Sequence, residues 1–162
     1  MLVSLLGSGA ITNSTISGNN GSVSFGGGML EIVNTILNAS AGSANITNYG
    51  GTLTSHGYNL SSDDGGGYLN GPGDQVNIDP MLGPLQDNGG PTFTHALLPG
   101  SPAINTGDPS FTPPPSYDQR GSPFVRVFNG RIDIGSFEAQ PPRRPSPTSR
   151  PRPTPPPRPT PR

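Results

Sequence analysis

A sequence that echoes itself about every 20 residues, with Gly-rich corners between short β-branched runs, leaves few folds open. ITNSTIS (Ile11 to Ser17) aligns with EIVNTIL (Glu31 to Leu37), so that Thr15 falls on Thr35 and Ile16 on Ile36. A third pass, ANITNYGGTLTSHGYNL, repeats the same usage with looser spacing. Such a period suits one coil of a solenoid, where each winding seals the next. The expected fold is all-β: two to three coils of a right-handed parallel β-helix over residues 1–62. Ile16 and Ile36 are expected to stack inward, and Asn13, Asn34 or Asn38 to form amide ladders at the bends. A sandwich of hairpins competes, because Gly-rich turns at 8–12-residue spacing fit it too. Hairpins, however, would give alternation without the echo.

Composition agrees with a folded but thin core. Hydrophobic residues are 29% of the chain and charged residues only 12%, so low hydrophobicity is not paired with the high charge typical of disorder. There is no cysteine, which excludes a disulfide framework, a thiolate nucleophile and a Cys-ligated metal. No run approaches the roughly 18 apolar residues that span a bilayer as a helix. The opening MLVSLLGSGA lacks a basic n-region. It reads as part of a coil, with the natural protein extending upstream.

Residues 79–138 are built differently. DPMLGPLQDNGGPTFTHALLPGSPAINTGD, then YDQRG and RIDIGSFE, mark almost every turn with Gly or Pro. This pattern predicts a loop-and-short-strand unit, with strands at Phe93–Leu98 and Arg131–Phe137 and a bulge at Gly135. Together with GYNLSSD and GPGD, these blocks resemble the C-terminal module of bacterial surface proteins called choice-of-anchor Q domain proteins, over roughly Thr52 to Glu138. The resemblance implies a module that follows parallel β-helix repeats and precedes a cell-envelope anchor, hence a secreted or cell-surface location. Members of that family often carry Cys near GYNLSSD; Gly65, Gly66 and Gly67 stand there instead. The module is expected over residues 63–139, as a cap on the last coil.

Charge is divided unevenly. Residues 1–139 hold ten carboxylates and three Arg (3 − 10 = −7), whereas residues 140–162 hold six Arg and no acid, giving +6. Those last 23 residues include eleven Pro, so a disordered polyproline rod is expected there. Envelope polymers or carbohydrate are the expected partners. Nucleic acid is not, since the tail has no aromatic side chains for stacking.

An enzyme on such coils would need a strong base beside acids, or paired carboxylates at a defined separation. Residues 1–62 supply one acid, Glu31, and one histidine, His56, with no Lys or Arg. The expectation is therefore a non-enzymatic surface module without a cofactor. The alternative is the C-terminal fragment of a polysaccharide-binding or polysaccharide-cleaving β-helix protein whose active coils lie upstream. Asp63, Asp64, Asp74 and Asp79 crowd into 17 residues among Gly and Asn, a ligand type that suits Ca²⁺, although Asp in this setting also caps turns. Asp108, Asp118, Arg120, Arg131 and Asp133 suggest an Arg–carboxylate network pinning the Pro-rich insert to the last strand. His56 and His95 read as hydrogen-bonded turn residues.

Overall fold

The computed structural model describes residues 7–19 and 23–141. The apolar start of the chain and the Pro/Arg tail beyond residue 141 lie outside the described residues.

Eight short strands wind through three parallel sheets in turn. β1 (Ser8–Thr12), β4 (Met29–Val33) and β7 (Thr52–Gly57) form one sheet. β2 (Thr15–Ser17), β5 (Ile36–Asn38) and β8 (Leu60–Ser61) form the second, and β3 (Val23–Phe25) with β6 (Ile46–Asn48) the third. Every pairing among them is parallel. The stacking is compatible with a β-helix, and no α-helix occurs among the described residues.

The register corrects the expected period. Ser8 pairs with Met29 and Thr15 with Ile36, a step of 21, while Met29 pairs with Thr52 and Ile36 with Leu60, steps of 23 and 24. Ile16 therefore lies on Leu37, not on Ile36. Because successive strand residues face opposite ways, a one-residue shift exchanges inside for outside. Leu37 joins Val23, Phe25, Leu30, Ile32, Ile46 and Leu69 inside the coils, with Ile16 packed against them. Ile36 points outward instead, into a second cluster with Leu60, Leu97, Ala103, Ile134 and Phe137. Each such fully buried aliphatic side chain contributes about 1.5–3 kcal/mol.

That second cluster shows where the C-terminal module sits. It covers the outer side of the β2–β5–β8 sheet rather than only the end of the stack. Ser136 N donates to Thr15 Oγ1 in the first coil, and Gly135 N to the Asn34 carbonyl in the second. The end of the stack is closed by a different segment. Gln75 forms a parallel bridge with Leu60, and Tyr58 N donates to the Pro72 carbonyl.

Within the module, β9 (Leu82–Gln86) and β10 (Thr94–Leu97) make an antiparallel pair, so the first expected strand forms. The second does not. Between Arg131 and Phe137 there is one isolated bridge, Arg131 to Phe128, followed by turns. Ile132 and Ile134 are nonetheless buried. Their backbone amides and carbonyls go to scattered partners, such as Ile134 N to the Ala103 carbonyl, instead of a ladder.

Candidate functional site

Corners between the first two sheets need a left-handed residue. Asn13 (φ 47°), Asn34 (φ 51°) and Tyr58 (φ 54°) occupy them in successive coils. Asn accepts this conformation more readily than most residues. One rung of the expected amide ladder forms, with Asn34 Nδ2 donating to Asn13 Oδ1 at 2.8 Å, whereas Asn38 Nδ2 reaches the Ser17 hydroxyl at 3.3 Å. Tyr58 breaks the column, with the Arg131 guanidinium 5.6 Å over its ring.

Five charged side chains are buried against this corner: Asp118, Arg120, Arg126, Asp133 and Glu138. Arg120 Nη2 meets Asp118 Oδ2 at 2.6 Å, and the guanidinium lies 3.8 Å from the ring centres of both Phe124 and Phe137. Arg120 also donates to the Glu138 carbonyl, and Glu138 N returns a bond to Asp118. Arg126 Nη2 donates to Asn13 Oδ1 at 3.0 Å and to the carbonyls of Asp133 and Gly135, while its Nη1 stands 3.9 Å from Glu138 Oε2. Its Nε and Nη1 are buried without a hydrogen-bond partner. Asp133 accepts from Asn105 N and Ala139 N, and Glu138 from Phe128 N and Asp133 N.

Burial dominates the electrostatics. Desolvation raises the Asp133 carboxyl, and it pushes Glu138 up to about 8 against two backbone donors, with the Asp133 charge adding to the rise. Arg126 is lowered by burial, opposed by the charges of Glu138, Asp118 and Asp133. Five ionisable groups thus share one dry site, where burial and the opposite charges act against each other.

The expected network is thus assembled in part. Asp118, Arg120 and Asp133 belong to it. Arg131 is held apart, donating to the carbonyls of Gly107 and Thr106. Asp108 stands outside: its carboxylate caps Ser110 N, and its backbone N reaches Asn34 Oδ1 at 3.3 Å. Arg126 and Glu138 were not singled out from the sequence. Nothing local in VRVF announces that its Arg turns inward.

The four clustered acids go to separate tasks. Asp63 accepts from Asn45 N (2.7 Å), Asn45 Nδ2, Ser61 and Gly65 N. Burial raises its carboxyl, but these donors together hold it below the usual value. Asp74 binds Ser55, Gly71 N and both nitrogens of the fully buried Asn59. Asp64 caps Gly66 N, and Asp79 caps Met81 N. No group of three or more His, Asp or Glu is placed to hold a metal ion among the described residues. His56 sits on β7, 3.6 Å from Glu31, and His95 on β10 with Nδ1 2.7 Å from the Gly83 carbonyl. Both therefore lie on strands, not in the turns expected for them.

A groove of about 420 Å³ opens beside the cluster, between the first coil and residues 115–119. Asn13, Ser14, Tyr117, Gln119, Arg126 and Ser136 are among its walls. A second hollow of about 570 Å³ shares Ser14, Gln119 and Ser136 with it and continues along Ala10–Ile16. Comparison with known protein families, curated proteins and solved structures finds no significant match to this chain.

Proposed function

We propose that this chain is the closing part of a right-handed parallel β-helix protein of the bacterial cell surface, a choice-of-anchor Q-like module without catalytic activity. The observation that supports it best is the use made of charge. Asp118, Arg120, Arg126, Asp133 and Glu138 are all buried; most of their hydrogen bonds tie residues 118–139 together, and Arg126 ties that segment to the coil corner at Asn13. An active site would need such groups where substrate reaches them. Buried charge that fastens the module to the coils suits a stalk or adhesin, which must resist unravelling.

On this reading the Pro/Arg tail is a basic spacer that meets anionic wall polymers or headgroups by charge. Such attachment weakens with salt, because screening at about 1 M ionic strength shortens the Debye length to roughly 3 Å.

The experiment is protease shaving of intact bacteria expressing the full natural gene, with the chain followed by antibody. External protease should remove it while a cytoplasmic marker survives. Retention with the marker would refute the surface assignment. The tail is tested separately by sedimenting full-length and 1–139 protein with isolated envelopes. Equal association at low salt would show that the tail is not the attachment.

A further inference from the structure

The groove beside the charge cluster is lined by two buried charged residues, Asp118 and Arg126, and otherwise by neutral side chains. Arg126 is 1% exposed and the Asp118 side chain fully buried, so both stand behind the surface a ligand would touch. What faces the opening is amide, hydroxyl and aromatic: Asn13, Ser14, Gln119, Ser136 and the half-exposed Tyr117.

Asn13 is set in one orientation. Its Oδ1 accepts from both Arg126 Nη2 (3.0 Å) and Asn34 Nδ2 (2.8 Å), so the amide cannot flip without leaving two buried donors facing an NH₂. Its own Nδ2 has no acceptor among the described residues. The buried Arg126 therefore acts as a positioning residue for a donor at the groove wall. Tyr117, which also lines the groove, is held by an antiparallel bridge to Val125 and is 44% exposed. A groove that combines an aromatic side chain with amide and hydroxyl groups suits a sugar ring, apolar on one face and polar at its edges.

We propose that this groove binds a neutral oligosaccharide, with Asn13 Nδ2 donating to a sugar oxygen and Tyr117 packing on a ring. Neutral glycans are favoured over acidic ones on two grounds. The two charged side chains that line it, Asp118 and Arg126, are buried, and residues 1–139 carry a formal net charge of −7 (three Arg less ten carboxylates) that repels polyanions. The volume lies within the span of small-ligand clefts, about 300–1,000 Å³. The site does not depend on the chain's location in the cell.

The test is calorimetric titration of the full chain with neutral hexose and N-acetylhexosamine tetrasaccharides, alongside uronic-acid tetrasaccharides and a mixed unstructured peptide pool. Saturable binding of a neutral probe is expected, with a Kd of about 1 mM or tighter. Tyr117→Ala and Gln119→Ala, both at exposed or half-exposed positions, should weaken it about tenfold or more without moving the melting temperature. Asn13→Asp keeps the acceptor for Arg126 but replaces the donor with oxygen, so it should weaken binding while the protein stays folded. The proposal is overturned if no neutral probe saturates, if only the acidic probes or peptides bind, or if Tyr117→Ala binds as tightly as the parent.

Discussion

Arg126 donates to the Asn13 side chain at 3.0 Å across 113 residues of sequence, and this bond joins the last segment of the chain to its first described coil. The same guanidinium holds the carbonyls of Asp133 and Gly135 and lies beside Glu138. One side chain thus fastens the flank of the module to the corner of the stack.

Removing it should be severe. Arg126→Ala leaves the Asp133 carboxyl without its nearby cation, and Asn13 and the carbonyls of Asp133 and Gly135 each with one donor fewer. The expected loss is roughly 3–5 kcal/mol, the scale for breaking a buried ion pair. Urea unfolding followed by far-UV circular dichroism would measure it. A midpoint within error of the parent would mean the cluster is not a fastening.

Stability should fall as pH rises from about 4.5 to 8. The Glu138 carboxyl binds its proton more tightly folded (about 8) than unfolded (4.5), so between these values the folded state holds the extra proton and raising pH favours unfolding. The slope is about 1.4 kcal/mol per pH unit at most, flattening above pH 8. Asp133, also raised, adds in the same direction at the acid end of this window. Asp63, held low, acts oppositely, and its contribution is lost only as pH falls below its ordinary 3.8. Glu138→Gln should flatten the profile between pH 5 and 8 whatever it does to absolute stability. A Gln variant with the parental slope would refute the assignment.

Arg120 is clamped between two rings as well as paired. Arg120→Lys keeps the charge but loses the planar stack on Phe124 and Phe137 and the forked contact with Asp118. A loss of about 1–3 kcal/mol is expected, with Arg120→Ala melting lower still. Differential scanning calorimetry of both variants decides it; a Lys variant that melts with the parent would show that charge alone suffices.

Gly135 tests the lateral packing of the module. Its φ is 99°, and an added Cβ would sit 2.7 Å from Thr15 Oγ1 and 2.8 Å from Ile36 Cδ1. Gly135→Ala combines a strained backbone with a clash against β2 and β5, so more than about 2 kcal/mol should be lost. Gly121→Ala, also left-handed but with open space around it, separates the two effects and should cost less. Equal losses would mean that the module does not press on the coils at Gly135.

Calcium offers a further check on the aspartates. Asp63→Ala and Asp74→Ala should each destabilise by about 2 kcal/mol or more through lost hydrogen bonds to charge. The loss should be the same in Ca²⁺ and in chelator. A chelator-dependent melt of the parent would restore a metal role for these acids.

The chain's own order of residues carries the repeating corners, the parallel winding and the strand at residues 94–97. Those depend on local requirements: Asn where φ is positive, Gly where the chain turns, β-branched runs between. Neighbouring residues satisfy such requirements, so they can be read without knowing what lies across the molecule. Which side of β5 is inside could not be read that way, because both faces of that strand are covered: Leu37 by the coils and Ile36 by Ile134 and Phe137, nearly a hundred residues away in sequence. The inward turn of Arg126 and the raised Glu138 carboxyl were decided in the same manner. Burial is a property of what packs on a residue from elsewhere, and only the folded chain brings Asn13, Arg126 and Glu138 into one place.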